Sequence, residues 1–108
     1  MDNIFDMDSI LLKLDKKGDS TFFLDFLNNN SFEVGVLRLN PGQKDIQEPH
    51  SEDELYVVIE GKGYINIVGE SHEITKGSCI FVPSKTNHYF HGNKERLVVL
   101  YVFNGSKK

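Results

Sequence analysis

The stretch LYVVIEGKGYINIV, residues 55–68, contains two short apolar runs separated by Gly61-Lys62-Gly63. Short runs that are rich in Val, Ile and Tyr and bounded by glycine are typical of β-strands. Similar runs occur on both sides of this stretch, with Asn, Gly and Pro turns between them. The predicted strands are Thr21–Leu27, Phe32–Leu39, Leu55–Ile59, Tyr64–Val68, Ser78–Val82, His88–His91 and Leu97–Phe103. Many short strands with closely spaced turns predict an all-β sandwich or barrel.

The length of 108 residues favours a single domain, because two cores of half that size would each be marginally stable. Residues 1–17 carry Ile10, Leu11 and Leu14 among charged residues, which predicts either a short helix or an arm that packs on the barrel or on a neighbouring subunit. Residues 18–105 form the predicted barrel domain, and residues 106–108 form a tail.

The net charge of −4 and the pI of about 5.5 argue against a nucleic-acid or membrane-surface partner, since such binding needs clustered Lys and Arg. The apolar runs are far shorter than the roughly 20 residues that span a bilayer. The N-terminus shows no secretory signal pattern, so we expect a cytoplasmic protein. The single cysteine, Cys79, excludes an internal disulfide, and its apolar neighbours predict a buried thiol.

Histidines and carboxylates concentrate in residues 48–54 and 88–91, two segments that are distant in sequence. Even spacing places Glu48, His50 and Glu54 on one face of an extended segment, where they can converge on one ion. A lone carboxylate that faces an apolar barrel interior costs several kcal/mol unless it is paired. The position of Glu54 therefore indicates a partner, which a divalent ion would supply.

Tyr56 has the same parity as Glu54 and is expected inside the barrel, where its hydroxyl can orient a substrate or hold a ligand carboxylate. His91 follows His88 by three residues, so we expect it on the opposite face of the strand. His72 belongs to a predicted turn at residues 69–72 and is expected to be solvated.

The segment from Gly42 to Gly92 resembles the two sequence motifs of the cupin superfamily. The first motif is matched in spacing by Gly42, Glu48, His50, Glu54 and Gly61, with Glu48 where the family has a histidine. The second motif is matched by Gly77, Pro83 and His88. Two further departures concern turns: Lys85 replaces a glycine, and Gly92 replaces an asparagine, which follows as Asn93.

The resemblance implies a single-domain cupin jelly-roll β-barrel with one metal site built from Glu48, His50, Glu54 and His88. If Glu48 points to solvent instead, the other three residues form a triad of two histidines and one carboxylate with open positions. The carboxylates favour Fe or Mn as the cofactor, while Zn and Ni stay open. Taken singly, each residue also has an ordinary explanation, such as a loop histidine or a strand-edge carboxylate.

A metal ion with open positions predicts an enzyme of the dioxygenase, isomerase or lyase type that acts on a small oxygenated substrate, with Glu48 and Tyr56 as catalytic candidates. The alternative is a non-catalytic cupin that binds or senses a small ligand or metal. A structural subunit with a decayed site is a third hypothesis, which the retained motif residues disfavour. The resemblance also implies a homodimer, and the long apolar strand Leu97–Phe103 would need its edge covered by a second chain or by the N-terminal arm.

Overall fold

The computed structural model describes residues 3–19, 22–46 and 51–104. Within these ranges the chain forms one helix and eight strands. The elements are α1 (Met7–Lys16), β1 (Phe23–Asn28), β2 (Phe32–Leu39), β3 (Glu54–Glu60), β4 (Lys62–Ile67), β5 (Glu70–Thr75), β6 (Cys79–Val82), β7 (His88–His91) and β8 (Leu97–Asn104). The predicted all-β class is confirmed, and the N-terminal segment forms a helix.

The strands form two antiparallel sheets, one with the order β1-β2-β8-β3-β6 and the other with the order β5-β4-β7. The main core combines inward-facing residues from both sheets, among them Leu37, Leu39, Tyr56, Val58, Ile65, Ile74, Phe90 and Val99. Strand β3 shows the expected alternation, because Tyr56 is fully buried whereas Leu55 is 43% exposed. Among the described strands no hydrogen-bond ladder joins the two sheets, which pack against each other through this core.

Helix α1 packs on the outer face of the larger sheet. Asp6 caps its N-terminus by accepting a hydrogen bond from the Ser9 amide at 3.2 Å. The apolar face of the helix, including Leu14, covers Val36 of β2 and Val98 of β8. Among the described residues, no helix has the length and apolar character that a membrane crossing requires.

Ion pairs fix the C-terminal end of α1 to the sheet. Asp15 accepts hydrogen bonds from the buried Arg38 at 2.6 Å and from Arg96 at 3.3 Å. Arg96 also donates to both carboxylate oxygens of Glu60, at 3.0 and 3.2 Å. The helix therefore belongs to the same folded unit as the barrel.

Strand β8 is not at an edge, so the expectation that its edge needs a cover is wrong. It lies between β2 and β3 and pairs with both. Its residues are buried on both faces, since Val99 belongs to the main core and Val98 lies under α1. Because both faces of β8 are buried, its sequence is continuously apolar. This pattern is therefore no sign of an edge strand. The homodimer stays a prediction.

Residues Glu70–Thr75 form strand β5, where a turn was predicted to extend to His72. Ile74 is the one residue of β5 that is buried, so the strand lacked an apolar signal. Its pairing with β4, which includes Ile65 opposite His72, holds it in place. The side chain of His72 is 50% exposed, which agrees with the expected solvation.

The interpretation of Cys79 as a buried thiol is wrong, because its side chain is exposed. Cys79 lies on β6, an edge strand of the larger sheet. Val82 faces the core from this strand, whereas Phe81 is 59% exposed. The odd-numbered residues of β6 point to the outer face of the sheet, which explains the exposure of the thiol.

The turn before β7 keeps a conformation that favours glycine. Lys85, which replaces the motif glycine, has a φ angle of 59°. The neighbouring amide of Ser84 donates to Asp53 at 2.9 Å, which ties this turn to the segment before β3. A residue other than glycine in the left-handed conformation lowers the free energy of unfolding by about 1 kcal/mol. Lys85 has this conformation in the turn that precedes His88.

We predict that Lys85→Gly raises the free energy of unfolding by about 0.5 to 1 kcal/mol, because glycine adopts a positive φ without strain. Lys85→Ala removes the same charge but keeps the Cβ atom, so it serves as the matched control and should not be stabilising. Urea denaturation of the three proteins measures the difference. Equal effects of the two substitutions would show that charge, and not backbone strain, matters at this turn.

Candidate metal centre

Glu54 and His88 come together although they belong to different sheets. Each is the first residue of its strand, Glu54 of β3 and His88 of β7. The distance between Glu54 Oε1 and His88 Nε2 is 3.3 Å, and the two side chains are 2% and 1% exposed. The structure thus brings together two of the four predicted ligands. Glu48 and His50 lie outside the described residues.

The orientation of the His88 ring is set by its other nitrogen. Nδ1 donates to the backbone carbonyl of Thr86, with a separation of 2.8 Å. In a neutral ring, the proton on Nδ1 leaves the lone pair on Nε2, the nitrogen that faces Glu54. A backbone carbonyl bonded to one imidazole nitrogen is the usual arrangement behind a metal-binding histidine.

Tyr56 lies inside the barrel, as its parity with Glu54 predicts. Its ring is fully buried and meets Phe90 edge-on, with 4.9 Å between ring centroids. Its hydroxyl lies 2.8 Å from His88 Nε2 and donates to that nitrogen when the ring is neutral. The hydroxyl therefore contacts the imidazole at the atom that would bind a metal.

In the metal-free protein the pair is stabilised by a proton. Burial lowers the pKa of His88, but the hydrogen bond to Glu54, the bond to Thr86 and the charges of Glu54 and Asp45 outweigh it, so the pKa lies above its usual value. A buried carboxylate next to an imidazolium is a compensated ion pair. The same carboxylate oxygen and imidazole nitrogen are suitable donors for a divalent ion, so these residues fit a metal.

Two aspartates that sequence reasoning missed position the strand that carries His88. Asp45 accepts a hydrogen bond from the backbone amide of Phe90 on β7 at 2.8 Å. Asp53 accepts from the amide of Ser84, in the turn before β7. The available signal was the presence of aspartates in turn-rich segments, where they often accept backbone amides.

His91 lies on the opposite side of β7 from His88, as the odd spacing predicts. Its ring stacks on Tyr64, with 5.6 Å between centroids, and its Nε2 lies 2.9 Å from the Ser71 hydroxyl.

Within residues 3–19, 22–46 and 51–104, no three His, Cys, Asp or Glu side chains gather as a metal site. The four-ligand set, which includes Glu48 and His50, therefore stays a prediction.

Residues 35–103 match the model of the cupin domain family. The chain belongs to the cupin superfamily. This cupin is 35% identical to the uncharacterized protein SCO3923 of Streptomyces coelicolor over 92 residues, which cover 85% of this chain and 88% of that protein. It is 30% identical to the dimethylsulfoniopropionate lyase DddW of Ruegeria pomeroyi over 70 residues, 65% of this chain and 46% of the lyase.

Solved cupin structures have the same fold. KdgF from Halomonas sp. superposes with a TM-score of 0.69 at 15% identity, covering 79% of this chain and 80% of that one. A cupin superfamily protein from Desulfitobacterium hafniense also gives 0.69 at 15% identity, covering 78% and 76%. These similarities confirm the predicted jelly-roll cupin fold.

We predict that Tyr56→Phe lowers the free energy of unfolding by about 1 kcal/mol, because it removes a buried hydrogen bond to His88 and keeps the packed ring. The ¹⁵N resonance of His88 Nε2 should shift in the same variant. Tyr64→Phe, on the outer face of the small sheet, is the matched control and should change neither quantity. An unchanged His88 resonance in Tyr56→Phe would contradict the hydrogen bond.

Proposed function

We propose that this cupin is a metal-dependent enzyme that acts on a small oxygenated molecule. Glu48, His50, Glu54 and His88 hold the ion, with Fe or Mn favoured over Zn or Ni by the two carboxylates. The observation that carries the proposal is the buried Glu54–His88 pair. In this pair His88 Nε2 lies 3.3 Å from Glu54 Oε1. The backbone carbonyl of Thr86 accepts a hydrogen bond from His88 Nδ1, which fixes the orientation of the ring.

The metal would replace the proton that the pair holds. Without metal, the raised pKa of His88 favours a proton on Nε2 beside Glu54, at a site almost inaccessible to water. Binding of a divalent ion requires that proton to leave, so metal uptake and proton release are coupled. When bound, the ion supplies a Lewis acid that polarises a carbonyl, carboxylate or hydroxyl oxygen of the substrate.

Tyr56 is the proton carrier next to this pair. Its hydroxyl bonds to His88 Nε2 in the metal-free protein. When Nε2 binds a metal, it no longer serves as the partner of this hydroxyl, and a substrate oxygen can take its place as a hydrogen-bond partner. A hydroxyl in this position can hold a proton for the substrate or return one to it.

The presence of a proton carrier favours the isomerase and lyase classes over the dioxygenase class, because the former depend on proton transfer at carbon. The similarity to a protein named as a lyase supports the same choice. Thr86 contributes by keeping the imidazole in one orientation, and Asp45 contributes by holding β7 at Phe90. The substrate is proposed as a small carboxylate that carries either a carbonyl group, which acidifies the neighbouring carbon, or a group that can be eliminated, such as a hydroxyl.

The metal site is tested by the metal content of untagged protein, measured by mass spectrometry. We expect near-stoichiometric metal in the wild type and none in the double variant His50→Ala, His88→Ala, because both imidazole ligands are then lost. His91→Ala is the control, since that ring stacks on Tyr64 on the other face of β7. Equal metal content in all three proteins, or none in any of them after reconstitution, would reject the metal site.

The reaction class is tested by hydrogen exchange in D₂O. Metal-loaded protein is incubated with a panel of small keto and hydroxy carboxylates and with dimethylsulfoniopropionate, and the loss of α-proton signals is followed by ¹H NMR. We expect exchange or turnover of at least one compound by the wild type, and a large loss of rate in Tyr56→Phe at unchanged metal content, because the proton carrier is missing. Fully loaded protein that exchanges nothing would favour the non-catalytic binding module.

A further inference from the structure

A hydrogen-bonded network lies on the inner face of the large sheet, beside the candidate metal centre. Tyr101 of β8 is 5% exposed, and its hydroxyl donates to the carboxylate of Asp25 on β1. Glu33 of β2 lies two residues from Gly35, on the same face of the sheet and diagonally across from Asp25, so the two carboxyl groups are close neighbours, and a hydrogen bond to Asp25 contributes to the raised pKa of Glu33. Two carboxyl groups can share a hydrogen bond when one of them carries a proton. The raised pKa of Glu33 assigns this proton to Glu33.

Gly35 makes this network possible. It lies in the cross-strand row Asp25–Gly35–Tyr101, between the two residues that are bonded. A Cβ atom built on Gly35 would overlap the ring and the hydroxyl of Tyr101. A glycine inside a strand costs about 0.5 to 1 kcal/mol relative to alanine, so its presence indicates a packing requirement. Here the Tyr101 ring crosses β2 at Gly35, where a Cβ atom would block it.

The same cross-strand rows continue to the candidate ligands. Tyr101 is opposite Tyr56, the residue whose hydroxyl contacts His88. In the next row, Phe103 of β8 has Glu33 on one side and Glu54 on the other. Two strand spacings therefore separate Glu33 from Glu54, which corresponds to roughly 10 Å. At this separation the two residues interact through charge and not through contact.

The network changes its charge near neutral pH. Burial, the bond to Asp25 and the charge of Asp25 raise the pKa of Glu33 to about 7, and Glu52 and Glu54 contribute in the same direction. Asp25 belongs to β1, Glu54 is the first residue of β3, and Glu52 lies in the segment before β3. Burial and the bond to Asp25 also raise the pKa of Tyr101, so from β8 its hydroxyl stays a hydrogen-bond donor. Glu33 thus gains one negative charge as the pH rises through about 7.

We propose that the Tyr101–Asp25–Glu33 network regulates the metal centre, with ionised Glu33 strengthening the binding of a divalent cation at Glu54 and His88 and protonated Glu33 weakening it. This inference rests on the proposed function, because it requires a cation at that centre. One added negative charge at roughly 10 Å from the Glu54 ligand would raise the affinity for a divalent cation by about tenfold. By reciprocity, metal binding favours ionisation of Glu33 by the same factor.

The proton on Glu33 is tested first, in metal-free protein. Carboxyl ¹³C NMR follows the titration of Glu33, whose resonance is assigned by its absence in Glu33→Gln. The expected midpoint is near 7 in the wild type, and Asp25→Asn should move it towards the ordinary value of 4.5, because a charge and its hydrogen bond are lost. A wild-type midpoint between about 4 and 5 would overturn the proposal. No movement in Asp25→Asn would overturn it as well.

The coupling is tested by calorimetric titration with Mn²⁺ at pH 6 and pH 8, for the wild type, Glu33→Gln and Glu70→Gln. Glu33→Gln keeps a neutral hydrogen-bonding side chain of the same size but cannot ionise. Glu70 lies on β5 with a side chain that is 79% exposed, so Glu70→Gln removes one carboxylate elsewhere and serves as the matched control. A pH dependence that arises from the ligands themselves is present in all three proteins, so the comparison isolates the contribution of Glu33.

We expect the gain in Mn²⁺ affinity from pH 6 to pH 8 to be about fivefold larger in the wild type and in Glu70→Gln than in Glu33→Gln, because Glu33 is only partly protonated at pH 6 and only partly ionised at pH 8. Equal gains in the three proteins would overturn the regulation and leave the metal centre intact. Absence of Mn²⁺ binding in all three proteins at both pH values would overturn the proposed function itself, and with it the regulation. The two failures are therefore distinguishable.

Discussion

The burial of a carboxylate and an imidazole between two sheets is the constraint on which this structure depends. Glu54 and His88 are almost inaccessible to water, so the fold has to supply each of them with a partner. Thr86 fixes the ring, Tyr56 contacts it, and Asp45 and Asp53 hold the strand and the turn that deliver it. These contacts fix the relative orientation of the two side chains. As a result, Glu54 Oε1 at the start of β3 faces His88 Nε2 at the start of β7.

Much of the fold was predictable from local patterns. The bounds of β2 and β7 agree with the predicted runs, and the parity of β3 correctly placed Glu54 and Tyr56 inside. Strand β5 was missed because its pairing with β4, and not its own polar sequence, defines it. The central position of β8 was missed because an apolar run does not distinguish a strand with a covered edge from a strand that is buried on both faces.

The candidate site was predictable only as far as motif spacing reaches. Spacing selected Glu54 and His88, which the structure brings together, and Glu48 and His50, which stay predictions. The contacts of Asp25, Glu33 and Tyr101 join the hairpin of β1 and β2 to β8, which is distant in sequence, so no local pattern marks them. Gly35, a glycine inside an otherwise apolar strand, was the one available signal, and it indicates a close approach without naming the partner.

The central position of β8 has a consequence for the order of folding. Strands β2 and β3 do not pair with each other in the described sheet and are joined only through residues 97–104. During synthesis, the large sheet therefore cannot close before this segment has left the ribosome, and β2 and β3 keep open edges until then. Such long-range pairing is typical of slow-folding chains. A growing chain of this cupin thus passes through a stage at which chaperones have free strand edges to protect.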